Sequence, residues 1–141
     1  MGSEVNIWIE EMNDKVNILI KEMQKYPNLA EAHYGLGLLL QNLGRYKEAE
    51  IEYRKAIEID PNDNYAHRYL GTLLSYLERY KEAKRIFYQG LYIPNTNKNN
   101  SERVWREDVF HILLYNLHKK IEKDESCKKN ALHYEAILKK Y

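Results

Sequence analysis

Along residues 32–43 the apolar side chains fall at Ala32, Leu36, Leu39, Leu40 and Leu43, a three/four spacing that places one stripe on an α-helix. Gly44 follows, the residue that most readily takes the left-handed conformation ending a helix. A second stripe runs through Ala49, Tyr53, Ala56 and Ile57 and stops at Asp60-Pro61. Proline has no N–H to continue a helix and pushes the residue before it out of helical geometry. The pattern predicts a helical hairpin, 29–42 and 46–59. It then recurs. Asn28, Ala32, His33, Leu36, Gly37, Leu39, Leu40 and Leu43 return as Asn62, Ala66, His67, Leu70, Gly71, Leu73, Leu74 and Leu77. The pentapeptide Arg-Tyr-Lys-Glu-Ala stands at both 45–49 and 79–83, a spacing of 34. A fixed period of this size signals stacked supersecondary units, so a second hairpin is predicted over 63–76 and 80–92.

Small residues punctuate both units. Gly37 and Gly71 sit mid-helix, where glycine costs about 1 kcal/mol against alanine, so each needs a packing reason. Ala49, Ala56 and Ala83 lie on the stripe of the second helices, with Tyr53 and Phe87 filling the space around them.

These positions carry a resemblance. The unit resembles the tetratricopeptide repeat (TPR), with large–Leu–Gly–large in the first helix and Ala–aromatic–Ala in the second, closed by proline. The first copy reads His33, Leu36, Gly37, Leu40, Ala49, Tyr53, Ala56, Pro61; the second reads His67, Leu70, Gly71, Leu74, Ala83, Phe87, Gly90, Pro94. It departs from the family in having His where tryptophan is usual, Gly90 for the last alanine, and Pro94 one residue early. The early proline implies a distorted exit after the second unit. The resemblance implies an all-α fold, a right-handed α-solenoid of antiparallel helical hairpins.

Two hairpins alone would leave apolar end faces in water, and stacked repeats need about three units with caps. Upstream, Val5, Trp8, Met12, Val16, Leu19, Ile20 and Met23 keep the helical spacing, and Pro27 lies one period before Pro61. Residues 1–27 therefore read as an N-terminal capping helix, its later part like the second helix of a degenerate leading repeat. Downstream, Ser101 is a candidate cap for a helix with Val104, Trp105, Val109, Ile112, Leu113, Leu117 and Ile121. Ala131, Leu132, Tyr134, Ala136, Ile137 and Leu138 suggest another helix after it. The resulting expectation is one domain of about seven helices: 1–27 cap, 28–61 repeat 1, 62–94 repeat 2, 95–100 loop, and 101–141 a degenerate C-terminal hairpin.

Composition narrows the function. At 141 residues the chain can bury roughly two-thirds of its unfolded surface without a staple. Its charge nearly cancels, at +1, which disfavours a nucleic-acid partner recognised by field. The single cysteine, Cys127, excludes an intramolecular disulfide and reads as an ordinary surface thiol in a reducing compartment. No apolar run reaches the roughly 20 residues that span a bilayer, and no basic-then-apolar leader opens the chain. A cytoplasmic protein with no membrane partner is expected.

Catalytic chemistry is not evident. There is no Gly-rich phosphate loop, HExxH, CxxC or G-x-S-x-G. Nothing orients Cys127 and His133 as nucleophile and base. His111 and His118 share a helix face but two ligands do not make a metal site, and His33 and His67 stand at equivalent positions where bulk is wanted. Glu10/Glu11 and Glu107/Asp108 are adjacent in sequence and so point to different sides of a helix. No catalytic residue, metal site or cofactor is expected.

What remains is recognition. In the family the first helices of successive repeats line a concave groove that holds a peptide or partner helix. Carried over by residue, that groove presents Glu31, Tyr34, Leu38 and Gln41 from the first unit and Tyr65, Arg68, Thr72 and Ser75 from the second, with Tyr76 at the rim. Tyr34 aligns with Arg68 and Leu38 with Thr72, so this face diverges while the scaffold positions stay identical. Tyrosine and arginine dominate many recognition surfaces. Relatives that clamp the carboxylate tail of heat-shock chaperones use Lys and Asn here; this chain has Tyr34, Leu38 and Tyr69, and Arg68 as a single cation. The expectation is a non-catalytic adaptor for a protein or peptide partner. The rivals are a scaffold self-associating through its terminal helices (Trp8 among them) and an RNA-binding helical repeat stacking bases on aromatics.

Overall fold

The computed structural model describes residues 2–93 and 100–139. These form α1 (Gly2–Lys25), α2 (Ala30–Asn42), α3 (Tyr46–Ile59), α4 (Asn64–Tyr76), α5 (Tyr80–Leu91) and α6 (Asn100–Leu138). Pro94 and residues 95–99 of the expected loop lie outside the described residues, as do Lys140, Tyr141 and the side chains of Ser101, Val104, Trp105, Cys127 and Tyr134.

Local chemistry sets the helix ends. Asp63 caps α4, its carboxylate accepting from the backbone N–H groups of Tyr65 at 2.9 Å and Ala66 at 3.4 Å. α2 and α4 end in the same motif. Gly44 N–H donates to the Gln41 carbonyl and Arg45 N–H to the Leu40 carbonyl; Glu78 and Arg79 repeat this with Ser75 and Leu74. The turn requires a left-handed residue, which is Gly44 at φ 76° in the first repeat and Glu78 at φ 62° in the second.

Within each hairpin the helices approach until an aromatic ring lies on a glycine. A Cβ on Gly37 would stand 2.5 Å from the Tyr53 ring, and one on Gly71 would stand 2.3 Å from the Phe87 ring. Both rings are buried, as are Ala49, Ala56 and Ala83. The backbones of α2, α4 and α6 approach one another in succession, whereas α1, α3 and α5 pack on their neighbours with their own backbones farther apart, α3 and α5 meeting through the long side chains of Arg54 and Glu82. Close-packed inner helices and splayed outer ones curve the stack, so the concave face belongs to α2, α4 and α6. α1 caps the start, burying Met12 and Val16 against α2 with Leu19 and Met23 beside them.

Two expectations need correction. Gly90 is not a lapse from alanine. A Cβ there would lie 2.3 Å from Phe110, whose buried ring occupies the space above it. The segment expected as a C-terminal hairpin forms one 39-residue helix, so the described residues hold six helices rather than seven. Its polar middle reads as a break by hydropathy, yet 100–138 contains neither glycine nor proline to end a helix. Ser101 accordingly stands inside α6 rather than before it. The first half of α6 takes the inner position of a third repeat through Phe110, Leu114 and Leu117. Beyond Ile121, Asp124 alone among the described side chains is even half-buried.

Candidate functional site

The two repeat histidines, His33 and His67, are structural. His33 is buried between α2, α3 and the preceding turn, with Nδ1 2.8 Å from Glu52 Oε2 and Nε2 3.1 Å from the Pro27 carbonyl. His67 Nδ1 lies 2.8 Å from the Asp63 carbonyl. Each ties its helix to the turn leading into it, a role that bulk alone does not describe.

The concave face carries two features. The first is a tyrosine cluster bridging α2 and α4. Tyr34 lies 5.7 Å from Tyr69 and 6.2 Å from Tyr65, and Tyr53 stacks on Tyr69 at 6.0 Å. The Arg68 guanidinium sits 5.0 Å from the Tyr69 ring and 5.5 Å from the Tyr65 ring, and donates to the Tyr69 hydroxyl at 3.2 Å. Cation and rings attract through the ring quadrupole, so this is an organised surface. Burial first, then the nearby Asp63 and Glu31 carboxylates, push the Tyr34 phenol up to about 12. Its hydroxyl therefore keeps its proton and can donate.

The second feature is a cleft of about 490 Å³ between α4 and α6. Thr72, Ser75 and Tyr76 form one wall and Leu113, Asn116 and Lys120 the other, with Phe87 and Leu117 behind. Thr72 is exposed, its hydroxyl donating to the Arg68 carbonyl at 2.8 Å. Tyr76 is 63% exposed, with its ring 5.4 Å from Tyr46. Its hydrogen bond to Tyr46 is the main reason that the Tyr46 phenol is held above its ordinary value.

The structure thus divides the expected residues. Tyr34, Tyr65 and Arg68 share the cluster; Thr72, Ser75 and Tyr76 share the cleft, where Ser75 is itself buried. Leu38 is half-buried against the core, and Gln41 accepts from the Tyr53 hydroxyl at 2.7 Å, so both support the face from below. Sequence reasoning missed Tyr69, the hub of the cluster, and the α6 wall. Tyr69 carried a signal, since it neighbours Arg68 on the divergent helix. Leu113, Asn116 and Lys120 carried none, because α6 lacks the repeat pattern that would fix its register. Among the described residues no group of three potential metal ligands converges, and no helix is long and apolar enough to cross a membrane.

Against known proteins, the tetratricopeptide repeat family model matches residues 30–63. Among curated proteins none matches the sequence. Solved structures share the fold at low identity. PcrH, in complex with the chaperone binding region of PopD, superposes with a TM-score of 0.68 at 17% identity over 79% of this chain and 81% of that one. The TPR2B domain of yeast Sti1, in a pHsp70 complex, gives 0.67 at 19% identity over 83% and 90%. The Sgt2 TPR domain of Aspergillus fumigatus gives 0.66 at 15% identity over 87% and 76%. The family model thus matches one unit of the chain, residues 30–63, and the helical solenoid is a fold shared with solved TPR domains.

Proposed function

We propose that this protein is a non-catalytic adaptor that holds a segment of a partner protein on its concave face. The observation that carries the reading is the pairing of an organised aromatic surface with an adjoining cleft on the same face. The cleft accepts one apolar side chain against Leu113 and Tyr76, while Thr72, Asn116 and Lys120 offer hydrogen bonds and a positive charge. The Tyr34–Tyr65–Tyr69 cluster provides rigid contact area alongside it, held by Arg68. Tyrosine gives a large contact at low entropic cost, which suits recognition by few residues. The low-identity TPR neighbours include domains solved with PopD and pHsp70 segments, which supports a polypeptide ligand without naming this one.

The test compares wild type with a Thr72→Glu/Tyr76→Ala variant, two exposed positions whose change spares the core. Each protein is used to capture ligands from the source-cell extract, and recovered segments are mapped back by NMR chemical shifts. A segment that perturbs α4 and α6 resonances and is lost by the folded variant supports the reading. Equal capture by both proteins, or shifts confined to the outer helices, overturns it.

A further inference from the structure

The outer face contains two copies of one cleft, a repeat apart, and they are built differently. Between α3 and α5 the cleft over Leu70 measures about 320 Å³; between α1 and α3 the cleft over Leu36 measures about 580 Å³. Their walls correspond at the period of 34: Ile20 with Arg54, Met23 with Ile57, and Ile51 with Arg85. The later cleft is strapped by four charges. Arg79 reaches across to Glu50 at 2.7 Å and pairs with Glu82 at 2.7 Å, and Arg54 bridges Glu50 at 2.9 Å and Glu82 at 3.3 Å. One period earlier the α1 side of that strap is Val16 and Ile20. Arg45 turns instead to Glu48 on its own helix, at 2.6 Å. The earlier cleft is left open and apolar, with Ile20 40% and Ile51 52% exposed on its lips.

α1 carries a second unpartnered surface. Its stripe continues past Met12 toward the N-terminus as Ile9, Trp8 and Val5, which are 39%, 47% and 59% exposed. α1 is 24 residues long and α2 only 13, so the first ten or so residues of α1 project about 15 Å past their support at 1.5 Å per residue.

We propose that two copies of this chain pair about a two-fold axis, each laying its projecting α1 end into the other's α1/α3 cleft. Area and charge both point to a second copy as the occupant. Taking about 150–250 Å² for the aromatic Trp8 and the low end of that range for the four aliphatic groups, the five exposed side chains leave on the order of 400 Å² of apolar surface per copy. Reciprocal docking buries about 800 Å², the apolar share of a standard-size interface, of which a little over half is non-polar; either patch alone falls well short. Residues 2–12 carry Glu4, Glu10 and Glu11 with no basic side chain, whereas residues 13–25 carry Lys15, Lys21 and Lys25 against Asp14 and Glu22. Antiparallel pairing of α1 with its copy therefore sets acidic end against basic end. The concave face takes no part, so this pairing and the adaptor reading stand independently.

Sedimentation velocity on the full chain from about 1 to 100 µM tests it, spanning the affinities such an area supports. The cleft variant is Ile20→Arg/Ile51→Arg, which installs the residues the next repeat tolerates at these sites; the end variant is Val5→Ser/Trp8→Ser. Circular dichroism checks that both stay helical. The wild type dimerises, each variant weakens the dimer at least tenfold, and an equimolar mixture of the two dimerises more strongly than either variant alone though less than wild type, because one of the two end-in-cleft contacts is then intact. A wild type monomeric throughout overturns the proposal. So does a cleft variant that dimerises like wild type, or a mixture no better than its components.

Discussion

Gly71→Ala sets two known effects against each other at one atom. In a helix interior alanine is favoured over glycine by about 1 kcal/mol. The added Cβ, however, would stand 2.3, 2.5 and 2.9 Å from three ring atoms of Phe87. Carbon atoms pack at about 3.5–4.0 Å, so the ring must retreat by about 1 Å. Phe87 is 1% exposed and has Phe110 edge-on at 6.4 Å, so the ring is confined on that side. Overpacking of this kind costs about 1–3 kcal/mol, and so tight a contact belongs at the upper end. The net expectation is a loss of about 2 kcal/mol. Gly35→Ala is the control. It lies in the equivalent helix of the first repeat, and its nearest neighbour would be Leu19 Cδ2 at 3.9 Å, an ordinary contact. There the propensity gain stands, and the protein gains about 0.5–1 kcal/mol. Urea unfolding followed by circular dichroism measures both, with an unchanged m-value as the check on two-state behaviour. Placing Gly71→Ala in a Phe87→Leu background completes the cycle, and the smaller side chain should recover at least about 1 kcal/mol of the loss. A Gly71→Ala protein as stable as wild type, or a loss undiminished without the ring, would refute ring-on-glycine contact as the reason for this residue.

Two further outcomes follow from the turn and the strap. Glu78 holds a left-handed conformation that costs a non-glycine residue about 1 kcal/mol, so Glu78→Gly should raise the urea-unfolding stability by about 0.5–1 kcal/mol, some of the gain lost to the freer unfolded chain; a fall in stability would mean the side chain holds something the turn needs. Arg79→Ala removes the Arg79–Glu50 half of the strap, leaving Arg54 between Glu50 and Glu82, and should cost about 0.5–1 kcal/mol, a surface-pair value that shrinks in high salt. Hydrogen bonds from Arg79 and Arg54 hold the Glu50 carboxyl below its ordinary 4.5 despite the opposing effect of burial. A lowered carboxyl stabilises above the unfolded value and loses that contribution as pH falls through the folded one. The gap between wild type and variant should therefore narrow from about pH 4.5 downward; a gap that is constant with pH and salt would leave Arg79 a packing role only.

The repeat was legible because its period, its glycines and its prolines are local signals that act in the same way twice. Helices expected at 29–42, 46–59, 63–76 and 80–92 form within a residue of those bounds. Legibility ended where the period did. The run from Glu122 to Asn130, between the two helices expected there, is polar, but polarity alone does not end a helix, and neither glycine nor proline is present to break it. Gly90 was read only as a departure from the family's alanine. Its partner Phe110 lies on the next helix, across residues where the repeat spacing no longer predicts who meets whom. The expected groove residues were carried over from the resemblance, which could not say that Leu38 and Gln41 would turn partly inward or that α6 would supply a wall.

Identity between the two repeats marks what the solenoid needs, and difference marks what it can spare. Leu36 and Leu70, Gly37 and Gly71, Ala49 and Ala83 agree because each faces its counterpart's environment in the core. Tyr34 against Arg68 and Leu38 against Thr72 diverge on the inner face, where the two repeats carry different side chains on one scaffold. The outer face obeys the same logic with a different result. Glu50 and Arg54 are needed wherever a following repeat supplies Arg79 and Glu82 to meet them. Their places in the leading helix are held by Val16 and Ile20, although Arg45 and Glu48 stand ready on the other side. A strap left half-built beside an apolar lip has given up a favourable ionic contact, and exposed isoleucine gains nothing from water in return. The arrangement makes energetic sense when another surface covers that lip, and α1 itself projects one of matching apolar character and complementary charge.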